Sequence, residues 1–286
     1  MVPRFLIALV WALVWALAIS ATDAHAARVP PGFLAGIAHH RLLTSTQPEN
    51  GDQNPYAIIT APVSAGSIQK NDVLVDNFNN NANLQGTGTT IIDYRPATGA
   101  TTLFAAIPRD LPGCPGGVGL STAMTMLTSG WVIVGSAPST DGTTKTLGAG
   151  CLIVLSPAGK VMSTIAGRLI NEPWGNMALD DHGTTATLFV SNAGPGIGAP
   201  GTPVQHHATI LRLSLSIPPG HAPVVTAQTV IASGLSARAD AGVFLIGPTG
   251  LALAPNGDLY VSDAISNQIL SIPDALDRAA APARAT

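Results

Sequence analysis

The chain has 286 residues, a formal net charge of −3 and only 10% charged residues. This balance excludes the basic surface of a nucleic-acid binder. With abundant Gly, Pro, Ser, Thr and Asn, it favours strands and turns over exposed helices, which draw on Glu, Lys and Arg.

In chain order, Arg4, the apolar run from Phe5 to Ile19 and the small-residue site Ala24-His25-Ala26 read as a signal peptide over residues 1–26. The run is shorter than the roughly 20 residues a spanning helix needs. The expectation is export to the periplasm or beyond, with no stable membrane insertion after cleavage, and one domain over residues 27–286. Cys114 and Cys151 both lie in that domain. In an oxidising compartment they permit one disulfide; two buried free thiols are the other reading.

The domain is repetitive. Four stretches, starting near Asn54, Cys114, Glu172 and Gly247, each open with a proline (Pro55, Pro115, Pro173, Pro248) and enter a short apolar strand. Each then turns on polar or Gly-containing residues, at Lys70-Asn71, Ser129-Gly130, Asp181-His182-Gly183 and Asn256-Gly257, and continues as VLV, VIV, LFV or LYV. Asn-Gly between two apolar runs is a strong hairpin signal. Further strands follow each hairpin, as in TTIIDYRPATG and TTLFAAI after the first and ATILRLSLSIPPG and VVTAQTVI after the third, giving about four strands per unit. A period of about 60–75 residues built from antiparallel strands without helical patterning selects an all-β fold, a β-propeller of four-stranded antiparallel blades.

The stretch GPTGLALAPNGDLYVSD resembles the NHL-repeat and gluconolactonase-like (SMP-30-type) six-bladed propellers; one unit carries the signature closely and three degenerately. Four blades are recognisable where the resemblance implies six. The shortfall means a truncated or open ring, blades hidden in divergent sequence, or closure by a partner chain. The resemblance also implies a divalent metal at the channel mouth, held in part by an Asn and an Asp just before the Gly of inner-strand starts. Those positions here are Tyr56, Gly117 or Val118, Trp174 and Thr249, none of which is a carboxylate or an amide. No catalytic set can be named.

Two groups of candidates remain. Asn77, Ser136, Asn192 and Asp263 follow the second strand of each unit and would form one polar rim. Such a rim could take a sugar, a peptide or a divalent cation such as Ca2+, or could simply cap its own turns. Trp174 at a strand entrance either stacks on a ligand or plugs the channel. The Asn-rich loop after Asp76 reads as an exposed turn-former, and GIGAPG (196–201) lacks the following helix of a dinucleotide site. The pairs His39-His40 and His206-His207 make awkward chelates, because neighbouring strand residues face opposite ways. The reading is therefore an exported binding or scaffold protein for a small molecule, peptide or protein. The alternative is a metal-dependent lactonase-like hydrolase or lyase at the channel mouth.

Overall fold

Strand-forming residues punctuated by left-handed turn residues build four antiparallel sheets, arranged as the blades of a propeller. The computed structural model describes residues 39–280 together with 32, 36 and 37. The leader expected over residues 1–26 lies outside the described residues. The chain divides into two units, Met1–Leu43 and Thr44–Thr286. The first is described only in part, where Leu42 and Leu43 are exposed; the second is the propeller.

Blade 1 comprises β1 (Gln53–Thr60), β2 (Val73–Asn79), β3 (Thr90–Arg95) and β4 (Ala100–Ala106), hydrogen-bonded in that order. Blade 2 repeats the arrangement with β5 (Leu120–Met126), β6 (Val132–Ser136), β7 (Cys151–Leu155) and β8 (Val161–Ile165). Blade 3 has β9 (Ala178–Asp181), β10 (Thr185–Asn192), β11 (Gln205–Ser216), the long β12 (Val224–Asp240) and the short β13 (Phe244–Ile246), which pairs with the end of β12. Blade 4 has β14 (Pro248–Leu253), β15 (Leu259–Asp263) and β16 (Gln268–Ile272). Four blades are thus present among the described residues, the number legible in the repeats.

The inner hairpins obey one rule. Each ends its turn in a residue with positive φ: Asn71 (72°), Gly130 (91°), Gly183 (82°) and Gly257 (87°). This left-handed region is open to Gly and tolerated by Asn, which is why the polar turn residues recur where they do. The second strands share a register. Val75, Val134, Val190 and Val261 are equivalent, and each is buried toward the preceding side of its blade. Leu74, Ile133, Phe189 and Tyr260 alternate with them and face the following side. Three apolar cores result, at the junctions of blades 1 with 2, 2 with 3, and 3 with 4.

One expectation is corrected. Pro55, Pro173 and Pro248 do occupy equivalent places, opposite Asn77, Asn192 and Asp263. In blade 2 that place, opposite Ser136, belongs to Leu120 and not to Pro115. Leu120 donates its backbone N–H to the Gly88 carbonyl at 3.0 Å, a hydrogen bond proline cannot make. The inner-strand position read as Gly117 or Val118 is accordingly Ser121 or Thr122.

Cys114 and Cys151 form a disulfide with a Cα–Cα distance of 5.0 Å, tying the loop before β5 to the start of β7. Its reduction, or Cys151→Ser, is expected to cost roughly 3–4 kcal/mol through loop entropy. Urea unfolding checks this: the midpoint should fall, and an unchanged midpoint in the reduced protein would refute it.

Candidate functional site

The starts of the four inner strands converge on one depression. Tyr56, Thr122, Trp174 and Thr249, one from each blade's inner segment, line it with Val243, Leu245, Ile246 and Ala264. Its volume is about 230 Å³. Register shifts between Pro55 and Ile58, Leu120 and Met124, and Pro248 and Leu251 turn these residues out of the ladder toward the mouth.

The bulges free backbone N–H groups, and the residue before each rim position answers them. Asp76 accepts from the N–H of Ala57 at 2.8 Å, the Ser191 hydroxyl from Gly175 at 3.0 Å and the Ser262 hydroxyl from Gly250 at 2.7 Å. Blade 2 has Gly135 there, and a Cβ at that point would meet Ala123 Cβ at 2.6 Å and Ser121 Oγ at 3.0 Å. Asp76 is fully buried with Oδ2 unpartnered, and burial pushes its carboxyl well above the ordinary range.

Beneath the mouth lies an aromatic cluster. Tyr56 stacks on Phe78 with centroids 4.3 Å apart; Trp174 meets both edge-on at 5.6 Å. Phe244 closes the group, 5.2 Å from Phe78 and 6.0 Å from Trp174. Blades 1 and 3 are not neighbours in the ring, so these contacts cross its centre. Trp174 is only 3% exposed, packed within this cluster, and its remaining surface lines the mouth.

The rim candidates bond to nearby strands and connecting segments, and Asn77 Oδ1 is buried without a partner. Asn77 donates to the Thr46 carbonyl and to Thr90 Oγ1. Ser136 accepts from Gly119 N–H and donates to the Gly117 carbonyl. Asn192 donates to Leu169 O and Thr209 Oγ1 and accepts from Asn171 N–H. Asp263 accepts from the N–H groups of Ile265 and Ser266. These four are brought to one end of the ring but share no partner, and their bonds are those of strand-end caps. Among the described residues, no group of three or more His, Cys, Asp or Glu is placed to hold a metal ion.

The other polar features resolve locally. Asn79 donates to Asn83 Oδ1 at 2.7 Å within the Asn-rich loop. His206 reaches Ser236 while His207 reaches the Pro195 carbonyl, so the pair diverges as adjacent strand residues must.

Sequence reasoning overlooked Glu172. It sits two residues before Trp174 with φ at +53°, held by its N–H to the Ala149 carbonyl and its carbonyl to Ala193 N–H. It is 4% exposed and its Oε2 has no partner. Burial alone pushes its carboxyl up to about 8, leaving a largely protonated acid at neutral pH. Nothing in the stretch RLINEPWG marks that burial.

No family model and no curated protein matches the chain. Solved structures of similar fold include the GH93 α-L-arabinofuranosidase of Fusarium graminearum bound to arabinobiose, with 14% identity and a TM-score of 0.45 over 79% of this chain. The chain spans 63% of that enzyme's length. Others are the α-L-arabinanase of Penicillium chrysogenum (10% identity, TM-score 0.32, covering 76% of this chain and 64% of that one) and a protein of Thermus thermophilus described as a putative glucose dehydrogenase (12%, 0.28, 74% and 91%). At these identities and scores the likenesses do not bear on what this chain does.

Proposed function

We propose that the chain is an exported binding protein of the NHL-type propeller kind, taking a small neutral apolar group at the channel mouth. The observation that carries this reading is the convergence of Tyr56, Thr122, Trp174 and Thr249 on a single apolar depression. Binding sites are concave, mostly apolar and equipped with a few polar groups. At about 230 Å³ this one falls below the ~300 Å³ at which drug-sized pockets begin. It suits one ring or branched aliphatic group of a larger ligand or partner, with the remainder outside. The mouth presents hydroxyls and no charge, and a neutral group suits it.

The test uses Trp174 emission in a chain that starts at Ala27 and carries Trp131→Phe, so that Trp11 and Trp15 do not contribute, with small neutral aromatic and branched aliphatic alcohols as probes. Saturable quenching or a blue shift is expected, together with its loss in Thr249→Phe, which fills the mouth. No response, or an equal response in Thr249→Phe, would refute the reading.

A second reading, a hydrolase or lyase, is favoured by Glu172, a buried carboxyl two residues before the mouth residue Trp174 and not itself part of the mouth's lining. A carboxylic acid kept neutral near pH 7 by burial is suited to donate a proton. In a metal-dependent version Asn77 would offer its unpartnered Oδ1, while the Asn192 and Asp263 oxygens would have to give up backbone N–H bonds they now accept.

A further inference from the structure

Two blade faces have the composition of a junction without the burial of one. The equivalent residues Leu74, Ile133 and Phe189 are each 0% exposed and pack toward the next blade. Tyr260 holds the same register in blade 4 and is 42% exposed. It shares that face with Ala252, Ser262, Ser271 and Ile269, the last 76% exposed. No charged residue stands among them.

At the other end, blade 1 turns a row of Ile58, Val75, Ile92 and Leu103 outward, one from each strand. In blades 2, 3 and 4 the residues equivalent to Val75 pack on the preceding blade. Here Val75 and Ile92 are shielded, yet Ile58 is 70% and Leu103 52% exposed. A groove of about 730 Å³ runs between Leu103 and the segment from Ser45 to Asn50. The two faces are the complementary halves of the contact that the chain makes internally three times.

We propose that a second copy of this chain covers these faces, with blade 4 of one copy packing on blade 1 of the other. The internal junctions show what each face accepts: another blade with its apolar residues in the same register. Such a contact is heterologous, joining different surfaces of the two copies. It joins copies head to tail, giving dimers first and longer oligomers as further faces are filled.

The experiment is analytical ultracentrifugation of the purified chain over about a hundredfold range of concentration, since mass action governs the assembly. Dimers or larger species are expected at high concentration. Ile269→Glu and Ile58→Glu each disable one half of the junction at an exposed position, so both variants should stay monomeric with unchanged melting temperatures. Their mixture retains one native blade 4 face and one native blade 1 face, and should form a one-to-one heterodimer and nothing larger. A wild-type chain that stays monomeric throughout overturns the proposal. So does self-association of either variant alone, or a mixture that stays monomeric. None of these outcomes touches the mouth, so ligand binding there stands or falls separately.

Discussion

Replacing Phe78 with alanine is expected to lower the unfolding free energy by about 4–5 kcal/mol. Phe78 is 0% exposed, and truncating a buried phenylalanine costs about 3–5 kcal/mol in lost transfer energy and residual cavity. Its ring also touches Tyr56, Trp174 and Phe244, and aromatic pairs add about 0.5–1.5 kcal/mol beyond their area. The cavity cannot collapse easily, because its walls belong to blades 1 and 3 and are fixed by separate hydrogen-bond ladders. A fall in melting temperature of roughly 10–15 °C follows from the usual scaling for a chain of this size. Phe189→Ala is the matched control: Phe189 is as deeply buried, but in the junction between blades 3 and 4. Differential scanning calorimetry reads both. A loss below about 2 kcal/mol for Phe78→Ala would mean that the blades hold together without their central cluster.

Raising the pH from 5 to 9 is expected to destabilise the fold through Glu172 and, in the same direction, Asp76. Both carboxyls are raised by burial, Glu172 to about 8 from an ordinary value of 4.5. In the unfolded chain Glu172 releases its proton near the ordinary value, whereas the folded chain retains it. Between these two values the folded state binds more protons, so stability falls as pH rises. The contribution is fully present below about pH 4.5, declines through the window and is lost above about pH 8, amounting to on the order of 4–5 kcal/mol. Glu172→Gln removes the ionisation while keeping the shape. The variant should match the wild type near pH 4.5 and melt well above it near pH 9. Parallel pH profiles for the two proteins would show that Glu172 is solvated in solution. The same variant bears on the second functional reading: lactone turnover by the wild type that Glu172→Gln abolishes would favour it.

The hairpins were legible because their determinants are local. Asn256-Gly257 forms the left-handed turn its dipeptide requires, and LYV becomes the strand beside it. The proline spacing was legible for blades 1, 3 and 4 and misleading for blade 2, since whether an inner strand can start with proline depends on a neighbouring carbonyl. For Leu120 that carbonyl is Gly88 O, 32 residues away in sequence. The site was harder to read. Tyr56 and Trp174 stood at recognisable strand entrances, but their partners Phe78 and Phe244 meet them only when non-adjacent blades face each other. Phe244 also adopts φ of +67°, which no propensity assigns to an aromatic residue. Glu172 was invisible for a related reason: its shifted acidity comes from burial created by two separate segments, around Ala149 and Ala193.

The aromatic cluster has a kinetic consequence. With Tyr56, Phe78, Trp174 and Phe244 in contact across the axis, a group bound at the mouth as proposed would rest on a floor of rings. The depression of about 230 Å³ has room for one such group. A second would enter only after the first had left, so exchange there would be competitive and one-at-a-time.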